Sequence, residues 1–477
     1  MKILSSIRAK FSLLFVLVFA FFFHAFNTFY FQDDFFFLRI SRISNMQGFI
    51  DFFSPLKTFF YRPLSSEVFY FYTHIFHESI LFAHALVFIL FFIGIYFLYK
   101  AIVKMTSSST LSYLAILLYS LHFTHVFQLY YLGTAQEVFA FTFLIISFYT
   151  FLNKSYRVSF LFFVCALLSK ESAVLFPIFL VIGSFFKIPQ FGHHSKKVYI
   201  MYILLSVIAL ILYRSGSSSV VIHEETYALQ LNPRLIVNNT MWYSLWSVGL
   251  PNFLPDYFTS ILRPPLPAVW AYFESTDAKI YMGSLLLYSA TFIGMIIAQY
   301  RTLVRKMNIR MLLFLLFSFL LFISPTVLII HKWMVRLTVP LIFVSFIQAY
   351  VLLKAMQNSR LRIASLFLIL LYITWNFFGV RVHERTSNYM YESSISRNVE
   401  SYMNTHKINS ARHSSIYFKD PDRKPDAWGW SRKLETTLHG QDFVDFYFPG
   451  KKITVLYGYK DTPRVDSYTI DAQQFLR

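Results

Sequence analysis

Long apolar runs alternate with short, basic stretches from residue 11 to residue 379. The runs fall at about 11–31, 79–99, 111–130, 134–152, 158–169, 172–186, 198–213, 281–298, 311–330, 337–353 and 363–379. Most come close to the roughly 18–20 apolar residues that carry a helix across a bilayer core. The pattern predicts an all-α polytopic membrane protein of about eleven transmembrane helices. The first run follows Lys2, Arg8 and Lys10 without a small-residue cleavage site, so it reads as an uncleaved first helix rather than a signal peptide.

Two segments need a decision beyond hydropathy. Residues 158–186 are apolar enough for one long helix, but they carry Ser169-Lys170-Glu171 in the middle. Splitting there gives two short helices. Twelve residues reach about 18 Å against a core of about 30 Å, so the Lys-Glu turn is expected below the outer surface, in a protein-lined recess. Residues 234–250 hold Asn238 and Asn239 and read as an outer-surface or re-entrant helix within a long outer loop, 214–280.

After Gly379 the pattern changes. Residues 380–477 carry 15 basic and 12 acidic side chains. "SSIYFKD" (414–420) and "KKITVLYGY" (451–459) alternate like strands, with Pro449-Gly450 as a turn before the second. "DAWGWSRKLETTLHG" (426–440) reads as a short helix ending at Gly440. The expected organisation is a transmembrane domain over 1–379, with outer loops 32–78 and 214–280, followed by a small α/β extracytoplasmic domain over 380–477.

Composition excludes a soluble protein: 56% of the 477 residues are hydrophobic and 14% charged, where soluble domains sit near 25% charged. The net charge of +19 would suggest nucleic acid in a soluble chain. Here its distribution points to topology instead. With a cytoplasmic N-terminus, the cytoplasmic pieces 1–10, 100–110, 153–157, 187–197, 299–310 and 354–362 hold 17 basic residues and no acidic ones. This positive-inside bias predicts a plasma-membrane protein with its C-terminus outside and no nucleic-acid partner. The lone Cys165 excludes an intramolecular disulfide.

That topology collects polar residues on the outer face. Asp33 and Asp34 follow the first helix, among Phe29, Tyr30, Phe31, Phe35, Phe36 and Phe37. Arg62 and Glu67 stand in "YRPLSSEVFY" (61–70). Glu137 opens the fourth helix, Lys170 and Glu171 form the buried turn, and His331 and Arg336 stand in "HKWMVRLTVP" (331–340). Each alone is an ordinary interfacial residue. Together, a carboxylate pair and several cations beside a recess form the layout for chemistry on an anionic lipid. A carboxylate takes the proton of an attacking hydroxyl, and Arg and Lys hold a leaving phosphate. Aromatic burial would raise the pKa of the acid and the cations would lower it; the residues alone leave the net direction open. His122 and His125, at i, i+3 without a third ligand, read as packing or interfacial residues rather than a metal site.

"QDDFFFL" (32–38) resembles the acidic-pair motif of the GT-C superfamily of membrane glycosyltransferases, in the branch of the protein O-mannosyltransferases and lipid A aminoarabinose transferases. "YRPLSSEVFY" resembles the segment opening their second helix. "LLSKESAVLFP" (167–177) resembles their Lys-Glu or Lys-Gly turn before Pro, and "MWYSLWSVGLPNFLPDYF" (241–258) an outer-loop motif of the tetratricopeptide-bearing O-mannosyltransferases. The resemblance implies transfer of a sugar from a polyprenyl-phosphate donor to a hydroxyl of a protein, lipid or glycan on the outer face. It places the catalytic base at Asp33, the second acid at Asp34 and phosphate contacts at Arg62, Lys170 and Arg336. Glu67, Glu137, Glu171 and His331 support them. Some branches hold a divalent cation at the acidic pair; no further ligand set for one is visible here. The chain departs from the aminoarabinose transferases in its second Asp and in Arg-Pro-Leu, which leaves the donor sugar open. A glycan polymerase using a lipid-linked oligosaccharide, a lipid or polysaccharide transporter or flippase, and a non-catalytic scaffold remain as alternatives.

Overall fold

The computed structural model describes residues 7–56, 60–192, 194–223, 227–258, 264–301, 303, 308–406, 413–421 and 429–476. Of the 17 basic positions counted on the cytoplasmic side, Lys2, Arg305 and Lys306 lie outside these residues, as do residues 426–428 of the expected short helix.

An α-helix stands at each of the eleven apolar segments. Among the described residues, seven are long and apolar enough to cross a bilayer: Ile7–Asn27, Ile80–Thr106, Leu132–Leu152, Lys196–Arg214, Thr276–Ala298, Ile309–Val327 and Arg362–Thr386. Ser109–Ser120 and Phe123–Leu129 would make an eighth together, bent by 53° at their junction. Tyr156–Leu167, Glu171–Phe185 and Leu341–Met356 are shorter apolar helices. Large aliphatic side chains such as Ile211, Ile297 and Ile363 point outward from these helices, while polar ones such as Thr142, Ser147 and Asn376 are buried. That inversion suits a hydrocarbon solvent, where backbone groups must be paired within the helix and polar side chains within the bundle. The chain is a multi-pass, membrane-embedded helical protein.

The bundle packs through aromatic rings and a few close backbone approaches. Phe179 contacts Phe148, Phe176, Phe314, Phe322 and Phe343, next to a small, wholly apolar void of about 50 Å³. At Gly94 the helix Ile80–Thr106 meets Leu132–Leu152 so closely that an added Cβ would lie 2.3 Å from the Phe141 ring. A Gly94→Leu protein is therefore expected to lose about 1–3 kcal/mol of stability by overpacking. Thermal unfolding in detergent reads this as a lowered midpoint; an unchanged midpoint would show that the two helices do not meet there.

The expected break in 158–186 is present. Helix Tyr156–Leu167 ends, Lys170 is extended (φ −160°, ψ 141°), and a 3-10 turn, Glu171–Leu175, leads into helix Phe176–Phe185 with Pro177 in its first turn. Segment 234–250 is also helical, over Pro233–Ser247, with the Asn232 side chain accepting from the Arg234 amide.

Helix Arg362–Thr386 continues through Gly379, so a boundary at 379 falls inside it. Its last turns carry Arg381 and Glu384, paired with each other at 2.9 Å. The polar region then forms helix Tyr389–His406, strand β1 (Ser415–Lys419), helices Trp430–Leu438 and Asp442–Tyr447, and strands β2 (Thr454–Tyr457) and β3 (Ser467–Asp471). The three strands are parallel in the order β2-β1-β3, with Ile416 opposite Val455 and Tyr468. Central β1 buries Ile416 and Phe418. β1 and β2 match the sequence reading, and the expected short helix is present over Trp430–Leu438, capped by His439 one residue before Gly440. β3 does not follow from it: of its five residues only Ile470 is fully buried, too little alternation to mark a strand.

Candidate functional site

The site begins at a strained turn. Between the first span and the helix Asp33–Ile40, Gln32 adopts φ 51°, ψ −129°, a region costly for a residue with a Cβ, on the order of 1–3 kcal/mol. Contacts from the polar C-terminal region hold it there. The Gln32 amide donates to the Thr437 carbonyl at 2.7 Å, and its side-chain amide donates to Glu392 at 2.5 Å. The Asp33 amide donates to the Tyr131 hydroxyl at 3.2 Å.

This turn sends the two acids to different places. Asp34 is fully buried. Its carboxyl accepts from the Phe31 amide at 3.0 Å and from the Tyr70 hydroxyl. Burial outweighs these bonds and pushes its pKa up to about 8, so it is largely protonated at neutral pH. The aromatic enclosure read from the sequence thus falls on Asp34. The Asp33 carboxylate is more than half exposed and lines a cavity of about 460 Å³.

The cavity draws its walls from segments far apart in sequence. Arg62, Glu137, Lys170, Glu171 and Arg336 all line it with Asp33. Arg62 grips Glu171 with two bonds of 2.8 Å each, and its guanidinium lies 4.6 Å from the Phe60 ring. Lys170 pairs with Glu137 at 2.9 Å. These two cations were expected to face Asp33; each instead has a carboxylate of its own. Arg336 differs. Among the described residues it pairs with no carboxylate. It is held by the His331 carbonyl at 3.1 Å and by His331 Nδ1 at 3.4 Å. Burial, reinforced by Arg336 and Lys332, lowers the His331 pKa to about 4. A neutral imidazole therefore steadies the guanidinium without cancelling its charge.

Phe322, Val339 and Leu210 also line the cavity. Phe322 and Val339 border the small apolar void as well, so charged residues grade into the aromatic interior of the bundle. Asp34, Glu67 and His331 do not line the cavity. Glu67 is buried in a π-helical turn, Leu64–Val68, and accepts from Ser66.

The acidic pair does not fit a divalent cation. Asp34 is buried and largely protonated at neutral pH, and hydrogen bonds engage both of its oxygens, so it is a poor second charged ligand beside Asp33. Among the described residues no group of three or more His, Cys, Asp or Glu side chains is placed to hold a metal. His122 and His125 are buried in the bundle, with His125 bonded to the Tyr119 carbonyl at 2.7 Å.

Sequence reasoning missed the C-terminal contribution to this site. His439 Nε2 lies 3.4 Å from Asp33 Oδ1, and His439 Nδ1 lies 2.6 Å from Asp442. Asp442 in turn accepts from Arg39 Nε at 2.5 Å. "LHG" signalled only a helix end, and the His439–Asp442 spacing of i, i+3 was the available clue. No protein-family model matches the chain, and no curated protein sequence matches it.

Proposed function

We propose that this chain is a glycosyltransferase of the GT-C type, which moves a sugar from a polyprenyl-phosphate donor to a hydroxyl acceptor on a protein, lipid or glycan. One observation carries the reading: an exposed carboxylate, Asp33, shares one cavity with Arg336, a cation without a carboxylate partner among the described residues. That cavity borders an apolar interior, which suits a ligand with a charged head and a long hydrocarbon tail. Its volume lies in the usual range for small-molecule sites, about 300–1,000 Å³.

In this reading the acceptor oxygen attacks the anomeric carbon as its proton passes to the Asp33 carboxylate. The bond from that carbon to the phosphate oxygen breaks. The polyprenyl phosphate leaves with its new charge beside Arg336, where a fixed cation favours the transition state over the ground state. Arg62 and Lys170, neutralised by Glu171 and Glu137, shape the pocket more than they charge it. Asp34 acts as a buried anchor for the turn that presents Asp33. The three shorter apolar helices complete eleven crossings. The N-terminus is cytoplasmic, and the cavity and C-terminal domain face outward at the plasma membrane; the clustering of basic residues supports this.

The test is donor-product binding. Undecaprenyl phosphate, added to the purified protein in detergent, is expected to bind, and Arg336→Ala is expected to weaken it. A hydrogen bond to a charged group contributes about 1.5–3 kcal/mol, or roughly a 10- to 150-fold rise in Kd. Equal binding by both proteins would remove Arg336 from the donor site.

A further inference from the structure

We infer that His439, on the C-terminal domain, is a positioning residue for Asp33, and that the membrane-embedded site is complete only when this domain is seated on it. For activity the inference rests on the glycosyltransferase reading; the ion pair itself does not.

The seating is built from several contacts between one short stretch of the C-terminal domain and residues 32–42. The Thr437 carbonyl takes the Gln32 amide at 2.7 Å. Asp442 takes Arg39 Nε at 2.5 Å. The Phe446 carbonyl takes Arg42 Nη1 at 3.0 Å, with the Arg42 guanidinium over the Phe446 ring at 4.9 Å. His439 stands in the middle of this stretch, in the left-handed conformation at φ 54° that ends its helix. Asp442 fixes its Nδ1 side and leaves Nε2 3.4 Å from Asp33 Oδ1.

The chemistry of the pair follows from the groups around it. The charged side chains bearing on His439 are Asp33 and Arg39 from the Asp33–Ile40 helix and Asp442 from its own side; the Phe36 ring lies 6.0 Å away. Burial and Arg39 disfavour the imidazolium. The bond to Asp442 and the charge of Asp33 outweigh them and raise the pKa above the ordinary histidine value. His439 therefore holds its proton to higher pH than a free histidine does. The pair is too exposed to add much stability. Its consequence is directional. A ring held between Asp33 and Asp442 fixes where the Asp33 carboxylate points. Its charge is present below the raised value and is lost as pH rises through it.

Two measurements on the full-length protein in detergent test this. The first is the titration of His439 by NMR of histidine-labelled protein, assigned by its absence in His439→Gln. The pKa is expected above 6.5 in the wild type and lower in Asp33→Asn, which removes one of the two carboxylates. The second is a rate–pH profile with a panel of radiolabelled undecaprenyl-phosphate monosaccharides. His439→Gln is expected to be slower at pH 6.5, on the order of 10²-fold for a misplaced catalytic group, and to lack the basic limb of the wild type. His439→Lys, which keeps the charge, is expected to carry that limb to higher pH. Identical His439 titrations in wild type and Asp33→Asn would overturn the inference whatever the activity. So would a wild-type profile retained in His439→Gln. Linked titrations in a protein that transfers none of these sugars would uphold the pairing and count against the glycosyltransferase reading instead.

Discussion

Asp33→Asn is expected to reduce sugar transfer by about 10²–10⁴-fold, the contribution of a positioned general base, while Asp34→Asn leaves it largely intact. The two acids are adjacent, and their fates differ because their surroundings do. Asp33 faces the cavity beside His439; an amide there keeps the shape and cannot take a proton. Asp34 is largely protonated at neutral pH, so Asn matches its neutral form and keeps an oxygen for the Phe31 amide; the Asn nitrogen can only donate, so the Tyr70 hydroxyl must turn to accept from it. Asp34→Ala is the contrasting change. It leaves the buried Phe31 amide without its acceptor, at about 1–3 kcal/mol. Linkage adds a second readout. The folded-state pKa of Asp34 is raised to about 8 from an unfolded value near 3.9. Its contribution to stability is therefore fully present below about pH 4 and is lost as pH rises towards 8. The melting temperature of the wild type is expected to fall across that window relative to Asp34→Asn. Parallel pH curves would mean that Asp34 is ionised throughout. Normal transfer by a folded Asp33→Asn protein would falsify the role of Asp33 as base.

Much of the fold was legible because the solvent dictates it. Apolar runs located every helix that is long and apolar enough to cross a bilayer among the described residues, and Lys170-Glu171 inside one run marked a break that the backbone indeed makes. The division of labour within Asp33-Asp34 was not legible. Successive residues on a helix point about 100° apart, so one faces the interior and the other does not. Which one does depends on how the chain enters the helix, and that is set by the left-handed Gln32. Nothing local to Gln32 signals this conformation; the bonds that hold it come from Thr437 and Glu392 at the other end of the chain. His439 was hidden for the same reason, since its partner lies on a distant segment. The cations were legible as a set: Arg62, Lys170 and Arg336 do share one cavity. Their partners were not, because Glu137 and Glu171 meet Lys170 and Arg62 from other elements, and only the packing of the helices sets which acid meets which cation.

That pairing leads to the largest expected loss of stability. Lys170 and Glu137 are 12% and 7% exposed and 2.9 Å apart, so each is the other's main compensation for leaving water. Lys170→Met strands the Glu137 carboxylate in a nearly buried wall, and such a break typically costs about 3–5 kcal/mol. The destabilisation alone does not show what the pair is for. Replacing both residues with apolar ones of similar size, Lys170→Met with Glu137→Leu, removes the stranded charge and is expected to recover most of the lost stability, because buried ion pairs often break even against hydrophobic packing. A double-mutant cycle on thermal unfolding measures the recovery. Transfer separates structure from function. If the pair shapes the cavity for a phosphate and its sugar, the double variant is folded yet impaired, since an apolar wall offers the headgroup no polar contact. A double variant that is both stable and fully active would make the pair a packing device and leave Asp33 and Arg336 as the charged groups that matter. A Lys170→Met protein as stable as the wild type would mean instead that water reaches Glu137 and the wall is wetter than its burial implies.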